Sequence, residues 1–227
     1  MKASTACYIC GSLGATTGDH VFPRGLFAAP LPSDMLTAPA CQPCQQRLQP
    51  DEEYFRTFAA AGSYLDPTAK ALWDGKIKRS FQNSRAFRKS FANAISTLEW
   101  KSPSGLYLGQ VVGLEGNQMR LGNVLQKMVR GLSYLDSGRK VMPSDTQFNY
   151  SQESPITPPA PEFVMTMFHG LPLRTLGEVV RYKFDQSPDQ RMSVSWFAFY
   201  SRVMFLVWTG PPDVVGPKAT RRRAPAP

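Results

Sequence analysis

The sequence predicts an α+β fold, and three patterns along the chain support this class. Two Cys-x-x-Cys pairs lie within the first fifty residues, at Cys7/Cys10 and Cys41/Cys44. Residues 119–135 repeat apolar side chains at helical spacing, which is typical of an amphipathic helix. Later segments rich in β-branched and aromatic residues are separated by turn formers, which favours antiparallel strands. We therefore expect a small N-terminal module, then helices, then an antiparallel-sheet α+β module.

All four cysteines of the chain belong to the two pairs. Two residues between cysteines let both sulfurs of a pair face one ion, and two pairs complete a tetrahedral thiolate site. The sequence thus predicts structural Zn²⁺ bound by Cys7, Cys10, Cys41 and Cys44. Two disulfides are an alternative, but a cysteine-poor chain expected in a reducing compartment gives them little support. A thioredoxin-like redox pair is another, but no βαβ pattern precedes either pair.

Composition indicates a folded and basic protein. The 227 residues are 42% hydrophobic, and 26 Lys and Arg against 17 Asp and Glu give a formal charge of +9. This charge favours a polyanionic partner such as nucleic acid, although a merely soluble basic protein would carry it too. The first residues contain no apolar stretch of secretory length, and the most apolar run, residues 194–208, is interrupted by Arg202. We expect a cytoplasmic protein without a transmembrane segment.

The N-terminal half is interpreted in order as a short strand, a loop and several helices. Residues 19–22 have a strand pattern, and the prolines that follow predict an extended loop over residues 24–40. A helix is expected to start near Gln45, and a second helical stretch then opens on three acidic residues. Further helical patterns cover residues 67–77 and 84–95.

The helical patterns after residue 66 are rich in Lys and Arg. Cations on one side of a helix can displace counterions from DNA, and the planar fork of Arg24 matches two phosphate oxygens. The candidate nucleic-acid contacts are Arg24, Lys76, Lys78, Arg79, Arg85, Arg88 and Lys89. The competing interpretation is an ordinary solvated surface. The interleaved aromatic residues are expected to be buried rather than stacked on bases; these are Trp73, Phe81, Phe87 and Phe91.

The second half combines strands with one long helix. Strand patterns cover residues 98–100 and 106–112, and the helix at 119–135 is expected to place Lys127 and Arg130 on its solvent side. A proline-rich connection at 151–161 leads to further strands, at 162–168, 178–184 and 193–207. The last residues, 211–227, are too polar and proline-rich to fold. The expected domain boundaries are 1–62, 63–96, 97–210 and 211–227.

The candidate chemistry of the chain centres on Asp19 and His20. An imidazole can take a proton from water near neutral pH, and a neighbouring carboxylate can bind a divalent cation. Phosphodiester hydrolysis needs both functions. Successive residues of a regular strand point to opposite faces, so the pair would have to lie at a strand end or bulge to act on one phosphate. The other histidine, His169, is interpreted as a turn residue.

The order Cys-x-x-Cys-Gly, Asp-His-Val-x-Pro, Cys-x-x-Cys resembles the zinc-supported branch of the HNH endonucleases. The resemblance covers about residues 7–60 and implies a ββα-metal module with one catalytic cation, Mg²⁺ or Mn²⁺. It implies that Asp19 is a cation ligand and that His20 is the general base. Asp34 would stand where the family has the asparagine that orients the histidine, and Gln45 where an asparagine commonly follows the last cysteine. Both positions depart from the family pattern.

These observations predict a metal-dependent HNH-like endonuclease that cuts DNA, of a kind resembling bacterial or phage systems. The alternative is a zinc-dependent nucleic-acid-binding protein that does not cleave. A third interpretation is a protein-interaction module, and residues 97–210 are the expected place for a protein partner.

Overall fold

A computed structural model describes residues 5–15, 17–102, 104–153, 168 and 170–211, and it combines helices with antiparallel sheets. The strands are β1 (Thr17–His20), β2 (Thr37–Ala40), β3 (Ile95–Lys101), β4 (Tyr107–Leu114), β5 (Gln147–Glu153), β6 (Arg174–Leu176), β7 (Val180–Gln186), β8 (Ser193–Phe199) and β9 (Val203–Gly210). The α-helices are α1 (Gln42–Gly62), α2 (Pro67–Leu72), α3 (Lys78–Asn83), α4 (Arg85–Ala92) and α5 (Gln118–Asp136). The predicted mixed class is confirmed. No helix in these ranges is long and apolar enough to cross a bilayer.

The N-terminal hairpin pairs β1 with β2 in a regular antiparallel register, from Thr17 opposite Ala40 to His20 opposite Thr37. The predicted loop over residues 24–40 is therefore wrong at both ends, because it begins with a 3₁₀ turn and ends as β2. Pro39 is tolerated in β2 because its missing N–H is not needed in this two-stranded sheet. Its carbonyl accepts a hydrogen bond of 2.9 Å from the Tyr8 N–H, which ties the first cysteine turn to the hairpin.

Helix α1 runs without a break through Pro50, so the predicted division into two helical stretches is wrong. Proline lacks the N–H that would bond to the Gln46 carbonyl, and contacts with α5 hold the helix beside this position. Arg120 of α5 donates to the Pro50 carbonyl at 2.7 Å and pairs with Asp51 at 2.9 Å. These contacts fix α1 against α5, and the two helices together back the N-terminal hairpin.

The Lys- and Arg-rich segment at residues 63–96 forms α2, a π-helical turn at Trp73–Ile77, α3 and α4. The helical predictions at 67–77 and 84–95 are confirmed apart from their ends. Asp66 caps α2 by accepting from two backbone N–H groups, and Ser84 caps α4. The aromatic residues pack against the core as predicted: Phe91 is buried, and Trp73, Phe81 and Phe87 are partly buried. The Phe81 ring centroid lies 5.8 Å from that of Trp73 and 5.7 Å from that of Phe91.

Helix α5 matches its predicted range, but the predicted exposure of Lys127 and Arg130 is wrong: they are 2% and 8% exposed. Lys127 lies three residues after the buried Val124, so it falls on the inner face. Carboxylates from β1 and α1 neutralise its charge there. Arg130 covers the Phe148 ring, with 5.3 Å between its guanidinium carbon and the ring centroid.

The C-terminal sheet has five antiparallel strands in the order β5-β9-β8-β7-β6. The single strand predicted at 193–207 is wrong, because Tyr200 and Ser201 turn the chain with φ of 50° and 59° between β8 and β9. The predicted connection at 151–161 is wrong over its first three residues, which belong to β5. The strand predicted at 162–168 and the tail at 211–227 lie outside the described residues except for Phe168 and Pro211.

One hydrophobic core joins the hairpin, the helices and the five-stranded sheet. Phe22, which follows β1, packs on Phe197 of β8, and Phe55 of α1 packs on Phe205 of β9, with centroid separations of 6.0 and 5.6 Å. The Tyr200 hydroxyl donates to the Leu26 carbonyl at 2.7 Å. The domain boundaries predicted from sequence stay a prediction, and this core crosses three of the proposed segments.

Candidate functional site

The four cysteines converge at one point between the first turn, β2 and α1. All four sulfur atoms lie within 4.8 Å of one another, and the Cys10 and Cys41 sulfurs are 3.8 Å apart. A tetrahedral ion with Zn–S bonds of about 2.3 Å requires sulfurs roughly 3.8 Å apart. The four cysteines are free thiols, so the disulfide alternative is wrong for this structure. The set fits a structural metal such as zinc, as predicted.

The backbone around each cysteine pair has the shape of a metal-binding turn. The Gly11 N–H donates to the Cys7 carbonyl at 2.8 Å, and Gly11 has φ of +78°, which glycine adopts without strain. The second pair forms the first turn of α1, where the Cys44 N–H donates to the Cys41 carbonyl at 3.1 Å. One pair therefore belongs to the hairpin side and the other to the helix.

The thiol environments differ between the buried and the exposed cysteines. Burial raises the pKa of Cys7 and of Cys44 above the ordinary value of a thiol. The hydrogen bond with the Ser12 side chain lowers the pKa of Cys10 to about 6. Zinc binds thiolates, so loading the site must remove protons from Cys7 and Cys44.

Asp19 lies in a cluster of charged groups beside the metal centre. Its Oδ2 accepts a hydrogen bond from the Tyr8 hydroxyl at 2.7 Å and faces the Lys127 ammonium at 3.0 Å. Lys127 also pairs with Glu52 of α1. Burial raises the pKa of Glu52, while Lys127 opposes that rise. Both contacts to Asp19 fall on the same oxygen, so neither engages its Oδ1.

The buried position of Lys127 in this charged cluster was missed at the sequence level. Lys127 lies at helical spacing from the buried Val124 and next to the buried Met128. This spacing is the sequence signal that could have predicted its burial. Nothing in the local sequence pairs Lys127 with Glu52, which is 75 residues away.

His20 is the last residue of β1, but it keeps the regular pairing with Thr37. The regular register shows no bulge at this pair, and strand alternation directs Asp19 and His20 to opposite faces. The Nδ1 atom of His20 is buried and has no hydrogen-bond partner among the described residues. His20 as a residue is partly exposed.

Asp34 and Gln45 take positions different from those implied by the resemblance. Asp34 is exposed and lies near Tyr182, whose pKa it helps to raise after the larger effect of burial. The Gln45 side-chain amide donates to the Thr17 hydroxyl at 2.8 Å. Thr17 precedes Asp19 by two residues along β1, a distance of roughly 7 Å. Within the described ranges, the hydrogen bonds of Asp19 and His20 involve neither of these side chains.

The candidate nucleic-acid contacts are all exposed; they are Arg24, Lys76, Lys78, Arg79, Arg85, Arg88 and Lys89. Arg24 starts the 3₁₀ turn after β1, and Lys76 donates to the carbonyl of Phe27 beside that turn at 3.2 Å. Burial and the nearby arginines lower the pKa of Lys76. The structure thus brings part of the set together, whereas Arg85, Arg88 and Lys89 extend along α4.

Comparisons of the chain with protein-family models, with curated proteins and with solved structures found no match.

Proposed function

We propose that this chain is a zinc-stabilised, HNH-like endonuclease that hydrolyses DNA phosphodiester bonds with His20 as the general base. The observation that carries the proposal is the arrangement of the N-terminal module. The hairpin strand that ends at His20 pairs with β2, and the chain passes directly from β2 through the cysteine site into α1. This β1–β2–α1 order supports the ββα-metal module that the sequence resemblance implies.

His20 would act on water through Nε2, because its Nδ1 is buried. In the hydrolysis His20 takes one proton from the attacking water, and the resulting hydroxide forms a bond to phosphorus. The bond from phosphorus to the departing deoxyribose oxygen breaks, and that oxygen takes a proton from solvent. Exposed cations of the Arg24 and Lys76 region would bind the flanking phosphates.

Asp19 is the residue that would hold a catalytic cation. Because it points to the face opposite His20, the two side chains would act on one phosphate only if the backbone at the end of β1 changes its geometry. The Oδ1 atom of Asp19, which Tyr8 and Lys127 leave free, is the atom that fits this role. Bound Mg²⁺ or Mn²⁺ would supply charge stabilisation to the departing oxygen. Glu52 brings a second carboxylate to the same cluster through its contact with Lys127.

A nucleic-acid-binding protein that does not cleave is the second candidate. The observation that favours it is the ammonium of Lys127 at 3.0 Å from Asp19, since a divalent ion on the same carboxylate would be repelled by that charge. The exposed position of Asp34 also leaves Nδ1 of His20 without an orienting partner among the residues that the structure describes.

Cleavage assays separate the two candidates. Zinc-loaded protein would be incubated with supercoiled plasmid and with single-stranded DNA, without added cation and with Mg²⁺ or Mn²⁺. The nuclease predicts cation-dependent cutting that His20→Ala abolishes and that His169→Ala, which alters the other histidine of the chain, retains. Retention of DNA without cutting under any cation would refute the nuclease and support the binding protein.

A further inference from the structure

Four cationic side chains gather around the 3₁₀ turn at Arg24–Leu26, on the side of α1 that faces α3. They are Arg24, Arg56, Lys76 and Arg79. Lys76 reaches the turn directly, because its Nζ donates to the Phe27 carbonyl at 3.2 Å. Three of the four are exposed, so an anion from solvent can reach them.

Arg56 is the centre of this group, and it comes from helix α1. Its guanidinium donates to the Ser80 hydroxyl at 3.1 Å, and Ser80 directly follows Arg79. On another side it packs against Gly25, where an added Cβ would lie 3.2 Å from Arg56 Cδ. Gly25 directly follows Arg24. Arg56 therefore contacts Gly25 and Ser80, which are the residues next to the exposed Arg24 and Arg79.

The turn that carries Arg24 is fixed in place before any ligand binds. The Tyr200 hydroxyl holds the Leu26 carbonyl at 2.7 Å, and Lys76 holds the next carbonyl along the chain. Arg56 is itself restrained by Glu53, at 3.2 Å, and by Ser80. Rigid donors lose little conformational freedom when they bind an anion.

The donors of this cluster are not all satisfied by the protein. Among the described residues, Glu53 forms an ion pair with this cluster, and the four cations outnumber it. The Nε–H of Arg56 is buried and lacks a hydrogen-bond partner in the described part of the chain. Cations that outnumber the carboxylate paired with them are explained most simply by an anion that completes the site.

We propose that Arg24, Arg56, Lys76 and Arg79 form one phosphate-binding site. The planar arginine forks match the oxygens of a phosphate group, and Lys76 adds a compact charge. A nucleic-acid backbone is the source that the proposed function favours, so that part of the inference rests on it. Free phosphate has the same chemistry, and the site itself does not depend on the nuclease.

Binding of inorganic phosphate tests the site without nucleic acid. Calorimetric titration of the zinc-loaded full chain at constant ionic strength would compare wild type with Arg24→Gln/Arg79→Gln. The matched control is Arg47→Gln/Arg181→Gln, which removes two exposed arginines outside the cluster. We expect at least a tenfold loss of phosphate affinity in the cluster variant and none in the control. Equal affinities in the two variants would overturn the site.

A duplex of about 20 base pairs then identifies the source of the phosphate, measured in a His20→Ala background to prevent cutting. A backbone site predicts that the cluster variant binds the duplex with lower affinity. The slope of log affinity against log salt concentration should also be shallower, by about 0.9 for each phosphate that the variant no longer neutralises. If phosphate binds but the duplex does not, the site stands with free phosphate as its ligand, and the proposed function fails. If the duplex binds equally to the cluster and control variants, the backbone assignment is overturned, and the proposed function stands.

Discussion

Replacement of Lys127 by methionine should destabilise the protein strongly, because Lys127 is the buried cation that joins α5 to β1 and α1. At its 3.0 Å separation from Asp19, the gross attraction is about 5 kcal/mol for an effective dielectric constant near 20. Desolvation of the charges offsets most of this gain in the wild type. Removal of Lys127 alone leaves two partly buried carboxylates uncompensated, so we expect a loss of up to about 3–5 kcal/mol.

The loss should depend on pH in a definite direction. In the wild type Lys127 counteracts the rise that burial causes in the pKa of Glu52. Without Lys127 the folded protein binds a proton on Glu52 more readily than the unfolded chain does. Stability relative to wild type should therefore recover as the pH falls from neutrality toward the ordinary carboxyl pKa of 4.5.

Urea unfolding of both proteins at each pH measures this difference, and the zinc site contributes equally to both. Lys140→Met is the matched control, because Lys140 is an exposed lysine close to the end of α5. Glu52→Gln/Lys127→Met should recover part of the lost stability, since it removes one uncompensated charge. A loss in Lys127→Met no larger than that in Lys140→Met would refute the reasoning.

Two further predictions concern the N-terminal module. Zinc binding must displace protons from at least Cys7 and Cys44. Chelator competition should therefore give a zinc affinity that falls by at least roughly 100-fold for each pH unit below neutrality, whereas a change below about threefold would contradict the four-thiolate site. Gly131→Ala should cost about 1–3 kcal/mol in urea unfolding, because its Cβ would lie 2.7 Å from the Val21 methyl groups. Gly75→Ala, with nothing within 4 Å, is its control and should be nearly neutral; similar losses at both positions would refute the packing argument.

The sequence was sufficient for features whose signal is local. The fixed spacing within the cysteine pairs predicts the four-sulfur cluster, because two intervening residues constrain the chain to a single turn. The apolar repeat at 119–135 likewise predicts α5 to within one residue at each end. Each of these signals lies within a short stretch of chain.

Features that depend on distant partners could not be predicted in the same way. The Lys127 side chain was assigned to solvent because of its charge, yet its carboxylate partners come from β1 and α1. The turn between β8 and β9 contains no glycine, asparagine or aspartate. Without these turn-forming residues, the apolar stretch at 193–207 has the pattern of one continuous strand. Gln45 keeps its amide but bonds to Thr17, an interaction that depends on the register of the hairpin.

Single-turnover cleavage of DNA tests the central claim most directly, because it separates binding from chemistry. With protein in excess over DNA and Mg²⁺ or Mn²⁺ present, the account predicts that His20→Ala slows cleavage by about 10²–10⁴-fold, the typical contribution of a general base. DNA affinity and zinc content should stay unchanged. Equal cleavage rates for wild type and His20→Ala, or the absence of cleavage in both, would contradict the assignment of His20 as the base of a nuclease.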